Sequence, residues 1–223
     1  MSINTIRLIP NDVYWCGAQR EVIQGGDLSA RISLRDLEDQ RALYAVGPQA
    51  GLVGELTVVD SRPYVAHVQS GRSAINENWA AGACFLVYAS VPHWQPGDVQ
   101  HEVANLLDLE TVLADVARRA GIDPSKPFAF RVQGEVAALA YHILNRTDVL
   151  PHNEERHEAI KAHFLLKNVS IDGIGFYSES HTGIFIPKGK RIHVHFVSSS
   201  LAESGHVDAI QFARAPSLLL PRT

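Results

Sequence analysis

Residues 191–197 read Arg-Ile-His-Val-His-Phe-Val. This alternation of apolar and polar residues predicts a β-strand, in which side chains two positions apart share a face. One face of the strand would then be apolar, and the other would carry His193 and His195. Two imidazoles on one face can reach a common metal ion at about 2.0–2.1 Å per Zn–N bond. The alternative interpretation is a half-exposed polar face that binds nothing.

A third candidate ligand follows in the next segment of the chain. Residues 198–205, Ser-Ser-Ser-Leu-Ala-Glu-Ser-Gly, form a connection of mostly small residues that would turn the chain back. His206 then begins a second strand, and antiparallel pairing would bring it beside His193 and His195. Three neutral imidazoles leave coordination positions open, as in catalytic zinc sites. We therefore expect these residues to bind Zn²⁺ or another divalent transition metal.

Composition excludes several classes of protein. The chain has 223 residues, is 46% hydrophobic and 20% charged, and has a formal net charge of −4. Its cationic residues form no basic stripe, so a nucleic-acid partner is not expected. It contains no apolar run of about 18 residues, which predicts that it does not span a membrane. Residues 1–10 do not resemble a secretory signal. Two cysteines, Cys16 and Cys84, are predicted to be reduced thiols, and we expect a cytoplasmic protein.

The pattern along the chain indicates an α+β fold of mostly mixed or antiparallel β-sheet, in two packed halves with a few helices. Helices are predicted at residues 33–43 and 108–120, where capping residues precede apolar residues at helical spacing. Short strands are predicted at residues 53–59, 64–68, 83–90, 128–132, 171–178, 191–198 and 206–212. Residues 137–144 fit either a helix or a strand. The polar residues 145–158 are the predicted connection between a half at 1–145 and a half at 146–223, together one compact unit.

Four segments in the second half resemble the α-acetolactate decarboxylase family. They are Gly173-Ile-Gly-Phe-Tyr-Ser178, Gly183-Ile-Phe-Ile-Pro187, Ile192-His-Val-His-Phe196 and Ser204-Gly-His-Val207. The family has a glycine-aromatic strand, a Gly-x-x-x-Pro turn, a His-x-His-Phe strand and a Gly-His-Val strand in this order. Its three histidines hold the metal, usually zinc, and the resemblance places that role on His193, His195 and His206. The resemblance covers roughly residues 40–212 and is weak through 69–125.

Two further segments carry the resemblance into the first half. Gly51-Leu-Val-Gly-Glu-Leu56 is similar to the family strand whose glutamate reaches the metal site, which implies a catalytic role for Glu55. From the residues alone, a carboxylate on that strand is expected to face solvent. Residues 126–134 are similar to the segment that carries the family's active-site arginine, which implies Arg131. A guanidinium fork suits an anionic substrate, whereas the alternative is an exposed strand arginine.

The sequence departs from the family in two places. Tyr44-Ala-Val-Gly-Pro-Gln49 stands where the family has a threonine-bearing turn that contacts substrate. The family also takes a second catalytic glutamate from a carboxy-terminal tail. Residues 207–223 of this sequence contain no glutamate, and Asp208 is their single acidic residue.

The resemblance implies a metal-dependent decarboxylase that converts 2-acetolactate, a 2-hydroxy-3-keto acid, to acetoin and CO₂ through a metal-stabilised enediolate. In this interpretation Arg131 orients the substrate and Glu55 relays a proton. The partner would be a small keto or hydroxy acid, and the protein is expected to form a homodimer. Two alternatives remain open: an enzyme of the same fold that acts on a different keto or hydroxy acid, or a non-catalytic relative that binds a metal or a carboxylate.

Overall fold

The structure, a computed structural model, describes residues 6–223 and is dominated by β-strands. Residues 1–5, which belong to the stretch predicted not to be a secretory signal, lie outside the described residues. The strands, in chain order, are β1 (Val13–Cys16), β2 (Ile32–Ser33), β3 (Leu43–Pro48), β4 (Glu55–Val59), β5 (Arg62–Gln69), β6 (Arg72–Asn76), β7 (Gly82–Ala83), β8 (Leu86–Ser90), β9 (Trp94–Pro96), β10 (Phe128–Leu144), β11 (Lys161–Tyr177), β12 (Ile192–Ser198), β13 (Ser204–Phe212) and β14 (Ser217–Pro221). The helices are α1 (Gln19–Ile23), α2 (Leu106–Arg119) and α3 (Glu154–Ala159), with short 3₁₀ helices at Leu34–Leu37 and Ala50–Leu52.

Two six-stranded antiparallel sheets form the body of the protein. The first has the order β1-β8-β3-β4-β5-β6, and the second has the order β11-β12-β13-β10-β14-β9. In the second sheet, β10 also pairs with β11 along nearly its whole length, so β10, β11, β12 and β13 close into a ring of hydrogen-bonded strands. The α+β prediction with a mostly antiparallel sheet is therefore confirmed.

The apolar core consists of three layers: one between the two sheets and one on the outer face of each sheet. Leu34, Leu37 and the 3₁₀ helix they belong to cover the outer face of the first sheet. The two inner faces meet in a layer that includes Val46, Ile174 and Phe176. Helix α2 covers the remaining face of the second sheet through an apolar cluster centred on aromatic and aliphatic side chains of β10 and β12. Polar side chains that point into the layer between the sheets are therefore shielded from water on both sides.

The predicted helices have different outcomes. The helix predicted at residues 108–120 is confirmed as α2, and the side chain of Asn105 caps its amino terminus by accepting hydrogen bonds from the amides of Leu107 and Asp108. The helix predicted at residues 33–43 is wrong in extent, because only Leu34–Leu37 form a 3₁₀ turn. Leu43 already begins β3, a strand that is buried along its whole length between β4 and β8. Burial on both edges overrides the local helical signal there.

Several predicted strands are longer than their sequence signals. The strand expected at 128–132 and the ambiguous segment 137–144 are one continuous strand, β10, and the strand expected at 171–178 is the second half of β11. The strands predicted at residues 53–59 and 64–68 correspond to β4 and β5, which pair as a hairpin with Asp60 and Ser61 both at positive φ, as a two-residue turn requires. The predicted division at residues 145–146 falls between β10 and β11, which pair with each other, and it stays a prediction.

Two smaller findings concern the chain as a whole. Cys16 and Cys84 are both free thiols. Within residues 6–223, no helix is long and apolar enough to cross a membrane.

Candidate metal centre

The three predicted histidines come together on β12 and β13. On β12, Ile192, Val194 and Phe196 pack into the core beneath α2, so His193 and His195 point into the layer between the sheets. On β13, His206 lies directly opposite His195 in the antiparallel register. The alternation expected from period-2 side-chain geometry is therefore confirmed.

A glycine allows the close approach that places the third histidine. A Cβ added at Gly205 would lie 2.8 Å from the carbonyl oxygen of His142 and 2.8 Å from the Tyr141 ring. Any side chain there would push β13 away from β10. Gly205 thus allows β13 to lie close to β10, and this packing positions His206 beside His193 and His195.

The histidine nitrogens are close enough to share one metal ion. One ligand atom from each of His193, His195 and His206 lies within 4.8 Å of the other two. The Nε2 of His193 and the Nδ1 of His206 are 3.1 Å apart. Nitrogens that each bind zinc at about 2.0–2.1 Å must converge on such a spacing.

Hydrogen bonds from surrounding residues orient two of the three rings. The Nδ1 of His193 donates to the carbonyl oxygen of Phe185 at 2.8 Å, which leaves its Nε2 as the free lone pair. The Nδ1 of His195 lies 3.1 Å from the hydroxyl of Thr57, and Thr57 accepts in turn from Ser204 at 3.0 Å. Partners of this kind set the tautomer and the ring orientation of metal-binding histidines.

Burial keeps the three imidazoles in the form that binds metals. Desolvation lowers the pKa of His193 to about 4, and it lowers the pKa values of His195 and His206 well below the ordinary value. All three rings are therefore neutral at pH 7. The Nε2 of His195 is fully buried and has no hydrogen-bond partner among the described residues. A buried, unpartnered ring nitrogen is costly unless a ligand satisfies it, so this donor set fits a divalent metal ion.

Glu55 lies beside the histidines, on the neighbouring sheet. Its Oε2 is 3.7 Å from the Nε2 of His195, and its side chain is only 3% exposed. It alternates with Leu56 and Val58, which pack into the outer core of the first sheet, so it points inward together with Thr57. Burial raises the pKa of the Glu55 carboxyl well above its ordinary value, and the backbone amide of Leu144 offsets part of this effect. The solvent-facing alternative for this residue is therefore excluded. We call His193, His195, His206 and Glu55 the histidine cluster.

The histidine cluster opens into a cavity of about 220 Å³. Its lining includes Glu55, His193 and His206, the side chain of His142, and the ammonium-bearing residue Lys161. A volume of this size admits a small organic acid and excludes a macromolecule.

Arg131 lies in the same layer but not in the cavity lining. Arg131 on β10 pairs with Ile174 on β11, and Ile174 pairs in turn with His195 on β12. Arg131 and His195 are therefore on the same face of the sheet, with β11 between them. Its guanidinium donates to both carboxylate oxygens of Asp172 and, from Nη1, to the hydroxyl of Tyr44 at 3.4 Å. It also lies over the rings of Tyr44 and Trp94, at 5.5 and 5.7 Å from their centroids. We call Arg131, Asp172, Tyr44 and Trp94 the arginine cluster.

Sequence reasoning missed two features of the cavity. The Nδ1 of His142 lies 2.7 Å from the carboxylate of Asp208, and the His142 ring stacks near that of His206 with centroids 4.6 Å apart. His142 was hidden because its segment fitted a helix as well as a strand. Lys161 was missed because it lies in a polar stretch with no periodicity. Interpreting residues 137–144 as a strand would have found His142.

Comparisons with known proteins agree with this geometry. The family model described as alpha-acetolactate decarboxylase matches residues 23–218. This chain belongs to the alpha-acetolactate decarboxylase family. The predicted resemblance is thereby confirmed, and with it a carboxy-lyase with a small-molecule substrate.

Solved structures share the fold of this family member at low sequence identity. An alpha-acetolactate decarboxylase from Bacillus subtilis strain 168 is 16% identical, with a TM-score of 0.73 over 94% of this chain and 84% of that one. An acetolactate decarboxylase from Bacillus subtilis subspecies spizizenii is 17% identical, with a TM-score of 0.72 over 95% and 86%. A Staphylococcus aureus protein of unknown function, similar to alpha-acetolactate decarboxylase, is 14% identical with a TM-score of 0.74 over 94% and 84%. A search of curated proteins found no match.

Proposed function

We propose that this protein converts 2-acetolactate to acetoin and CO₂, with a zinc ion held by His193, His195 and His206. The observation that carries the proposal is the buried, unpartnered Nε2 of His195, which converges with two other neutral imidazoles beside a buried carboxylate. Membership of the alpha-acetolactate decarboxylase family supports the reaction type.

The reaction requires an electron sink and a proton. The bond between the substrate's carboxylate carbon and its hydroxyl-bearing carbon breaks, CO₂ leaves, and the electron pair passes to the neighbouring ketone as an enediolate. A divalent ion bound by the three histidines would supply a Lewis acid for the negative charge that develops on that oxygen. The carbon that lost CO₂ must then take up one proton to give acetoin.

Glu55 is the residue we propose for this proton transfer. It borders the cavity, it lies 3.7 Å from His195, and the rigid pairing of β4 with β3 and β5 fixes its position. Since burial favours its protonated form, it is suited to deliver a proton in a water-poor site and to be recharged from the cavity. Thr57, on the same face of β4, would hold the ring of His195 in its binding orientation.

The role of Arg131 in orienting the substrate stays a prediction, as do the homodimer and the cytoplasmic location. Asp172 and Tyr44 already engage its guanidinium, so an incoming carboxylate would have to displace an existing partner. Lys161, unlike Arg131, lines the cavity and is the competing cation for this role.

The deciding experiment is incubation of purified protein of known metal content with racemic 2-acetolactate, with acetoin and CO₂ both measured. We expect equimolar formation of the two products, with half of the racemate consumed rapidly if one enantiomer is preferred. Chelator-treated protein and the His195→Ala variant are the matched controls. Zinc-loaded protein that releases no acetoin would refute the reaction, and turnover of another keto or hydroxy acid would then identify a different substrate.

A further inference from the structure

Three lysines gather at the opening of the cavity. Lys161, Lys188 and Lys190 all belong to the lining that contains His193, His206 and Glu55. Lys188 and Lys190 are exposed at the rim, on the segment that leads into β12. In a chain whose net charge is −4, this concentration of positive charge at one opening favours the entry of an anion.

Lys161 is the one of the three that is held near the reacting groups. Its side chain is 17% exposed, compared with 88% for Lys188. It lines the same cavity as Glu55 and His206, two members of the histidine cluster. It is the first residue of β11, directly after α3, and this position fixes its backbone at the cavity wall.

The Lys161 ammonium can accept a new partner at low cost. Its Nζ donates to the two carboxylate oxygens of Glu158 at 2.7 and 2.8 Å, and Glu158 itself is 66% exposed. An ion pair with such an exposed partner contributes little to stability. An ammonium has three donors, so a carboxylate entering the cavity can share Lys161 or replace Glu158.

Arg131 offers the opposite situation. Its partner Asp172 is held by two parallel hydrogen bonds, and the guanidinium is packed against two aromatic rings away from the cavity lining. Displacing Asp172 would leave a partly buried carboxylate without its cation, which is strongly unfavourable.

We propose that the Lys161 ammonium, assisted at the rim by Lys188 and Lys190, binds the carboxylate of the acid substrate. This inference rests on the proposed function in one respect, that the substrate is a small carboxylic acid. It has a kinetic consequence. An ammonium paired with the carboxylate stabilises the substrate before CO₂ leaves, so Lys161 contributes to KM and little to kcat.

The test uses two non-reacting probes and zinc-loaded protein. The first is 2,3-dihydroxy-2-methylbutanoate, which keeps the carboxylate but has no ketone to accept electrons. The second is 2,3-butanediol, which is the same molecule without the carboxylate. Their affinities are measured by isothermal titration calorimetry for wild type, Lys161→Gln, Glu158→Gln and Arg131→Lys. Lys167→Gln, an exposed lysine of the same strand outside the cavity, is the matched control.

We expect Lys161→Gln to weaken binding of the acid by roughly 10- to 100-fold, the loss typical of one charge-assisted hydrogen bond, and to leave binding of the diol unchanged. Glu158→Gln should strengthen acid binding severalfold, because it frees the ammonium, and this gain cannot arise from misfolding. Lys167→Gln should bind both probes like wild type.

The proposal is overturned if Lys161→Gln binds the acid as tightly as wild type, if it weakens acid and diol equally, or if Arg131→Lys alone loses acid affinity. Failure of the proposed function gives a different result. In that case no acetoin forms from 2-acetolactate, while binding of the acid still depends on Lys161.

Discussion

The histidine cluster and the arginine cluster lie in the same layer between the two sheets, yet they differ in whether their polar groups have hydrogen-bond partners within the protein. In the arginine cluster, Asp172 and Tyr44 engage the guanidinium of Arg131, and the indole of Trp94 donates to the Tyr44 hydroxyl at 3.0 Å. In the histidine cluster, the Nε2 of His195 has no hydrogen-bond partner among residues 6–223, and Glu55 is buried beside it.

This difference separates a stabilising network from a binding site. Buried polar groups are almost always hydrogen-bonded, and an unpartnered one is costly unless water or a ligand satisfies it. The arginine cluster is complete within the protein and joins β3, β9, β10 and β11. The histidine cluster needs an added partner. The clusters also differ in burial, since the side chains of Arg131 and Asp172 are 16% and 28% exposed, whereas those of His195 and Glu55 are 0% and 3% exposed.

The largest expected effect tests the histidine cluster directly. His193→Ala, His195→Ala and His206→Ala should each reduce bound zinc from about one ion per chain to a level below detection, since each removes one of the three proposed ligands. Elemental analysis measures the metal, and circular dichroism checks the fold. His67→Ala and His101→Ala, outside the cluster, are the controls and should retain full metal content. Equal zinc in all five variants would contradict the assignment.

Glu55→Gln should have the next largest effect. The amide keeps the shape of the side chain but cannot transfer the proton, so kcat should fall by about 10²–10⁴-fold with zinc retained. Acetoin formation and zinc content are measured on the same sample. Full activity in this variant would leave Glu55 without a catalytic role, and loss of zinc would make it a support of the metal site instead.

Thr57→Val tests a residue that contacts the histidine cluster without belonging to it. It removes the hydroxyl beside the Nδ1 of His195 while keeping the side-chain volume. We expect zinc affinity to fall about 10- to 100-fold, as for other residues that orient metal-binding histidines. Competition with a chromophoric chelator measures the affinity. Thr111→Val, on the exposed face of α2, is a matched control and should leave it unchanged.

Acid should lower the stability of the metal-free protein through the histidine cluster. The pKa of His193 is lowered to about 4 in the folded protein from an ordinary value of 6.5, so the unfolded chain takes up the proton first. The metal-free protein therefore has the full contribution of neutral His193 above pH 6.5 and loses it as pH falls toward 4. Urea unfolding of chelator-treated protein at several pH values measures this. His193→Asn should lose less stability over the same range, and an unchanged pH dependence would refute the explanation.

The smallest effect is expected for Arg131→Lys. Lysine keeps the charge beside Asp172 but loses the two-pronged donor, so we expect a loss of about 1–2 kcal/mol in the free energy of unfolding. Zinc content should be unchanged, and KM for 2-acetolactate should rise by no more than a few-fold. Chemical denaturation and steady-state kinetics test these values. A KM increase larger than that of Lys161→Gln would break the comparison and return the substrate's carboxylate to Arg131.

Much of the fold could be predicted because its signals are local. The helix predicted at 108–120 has apolar residues at helical spacing and two arginines in its last turn, and β4 and β5 alternate on either side of the Asp60-Ser61 turn. The error at residues 33–43 has the opposite cause. A favourable helix start at Ser33 was followed by β3, whose strand state depends on partners that are distant in sequence.

By itself, the sequence placed His193 and His195 on one face of a strand and His206 at the start of the next strand. The period of a β-strand places residues two apart on one face, and an adjacent strand after a short turn returns its first residues to the same place. The inward orientation of Glu55 was decided by the tertiary structure, in which its side chain is buried beside His195. Only the tertiary structure decided which cation shares their cavity. Periodicity places Arg131 on the correct face of β10, but it does not reveal that Asp172 engages its guanidinium. Lys161 reaches the cavity because α3 ends where β11 begins, a position that depends on packing between distant segments. Such contacts leave no periodic trace in the sequence.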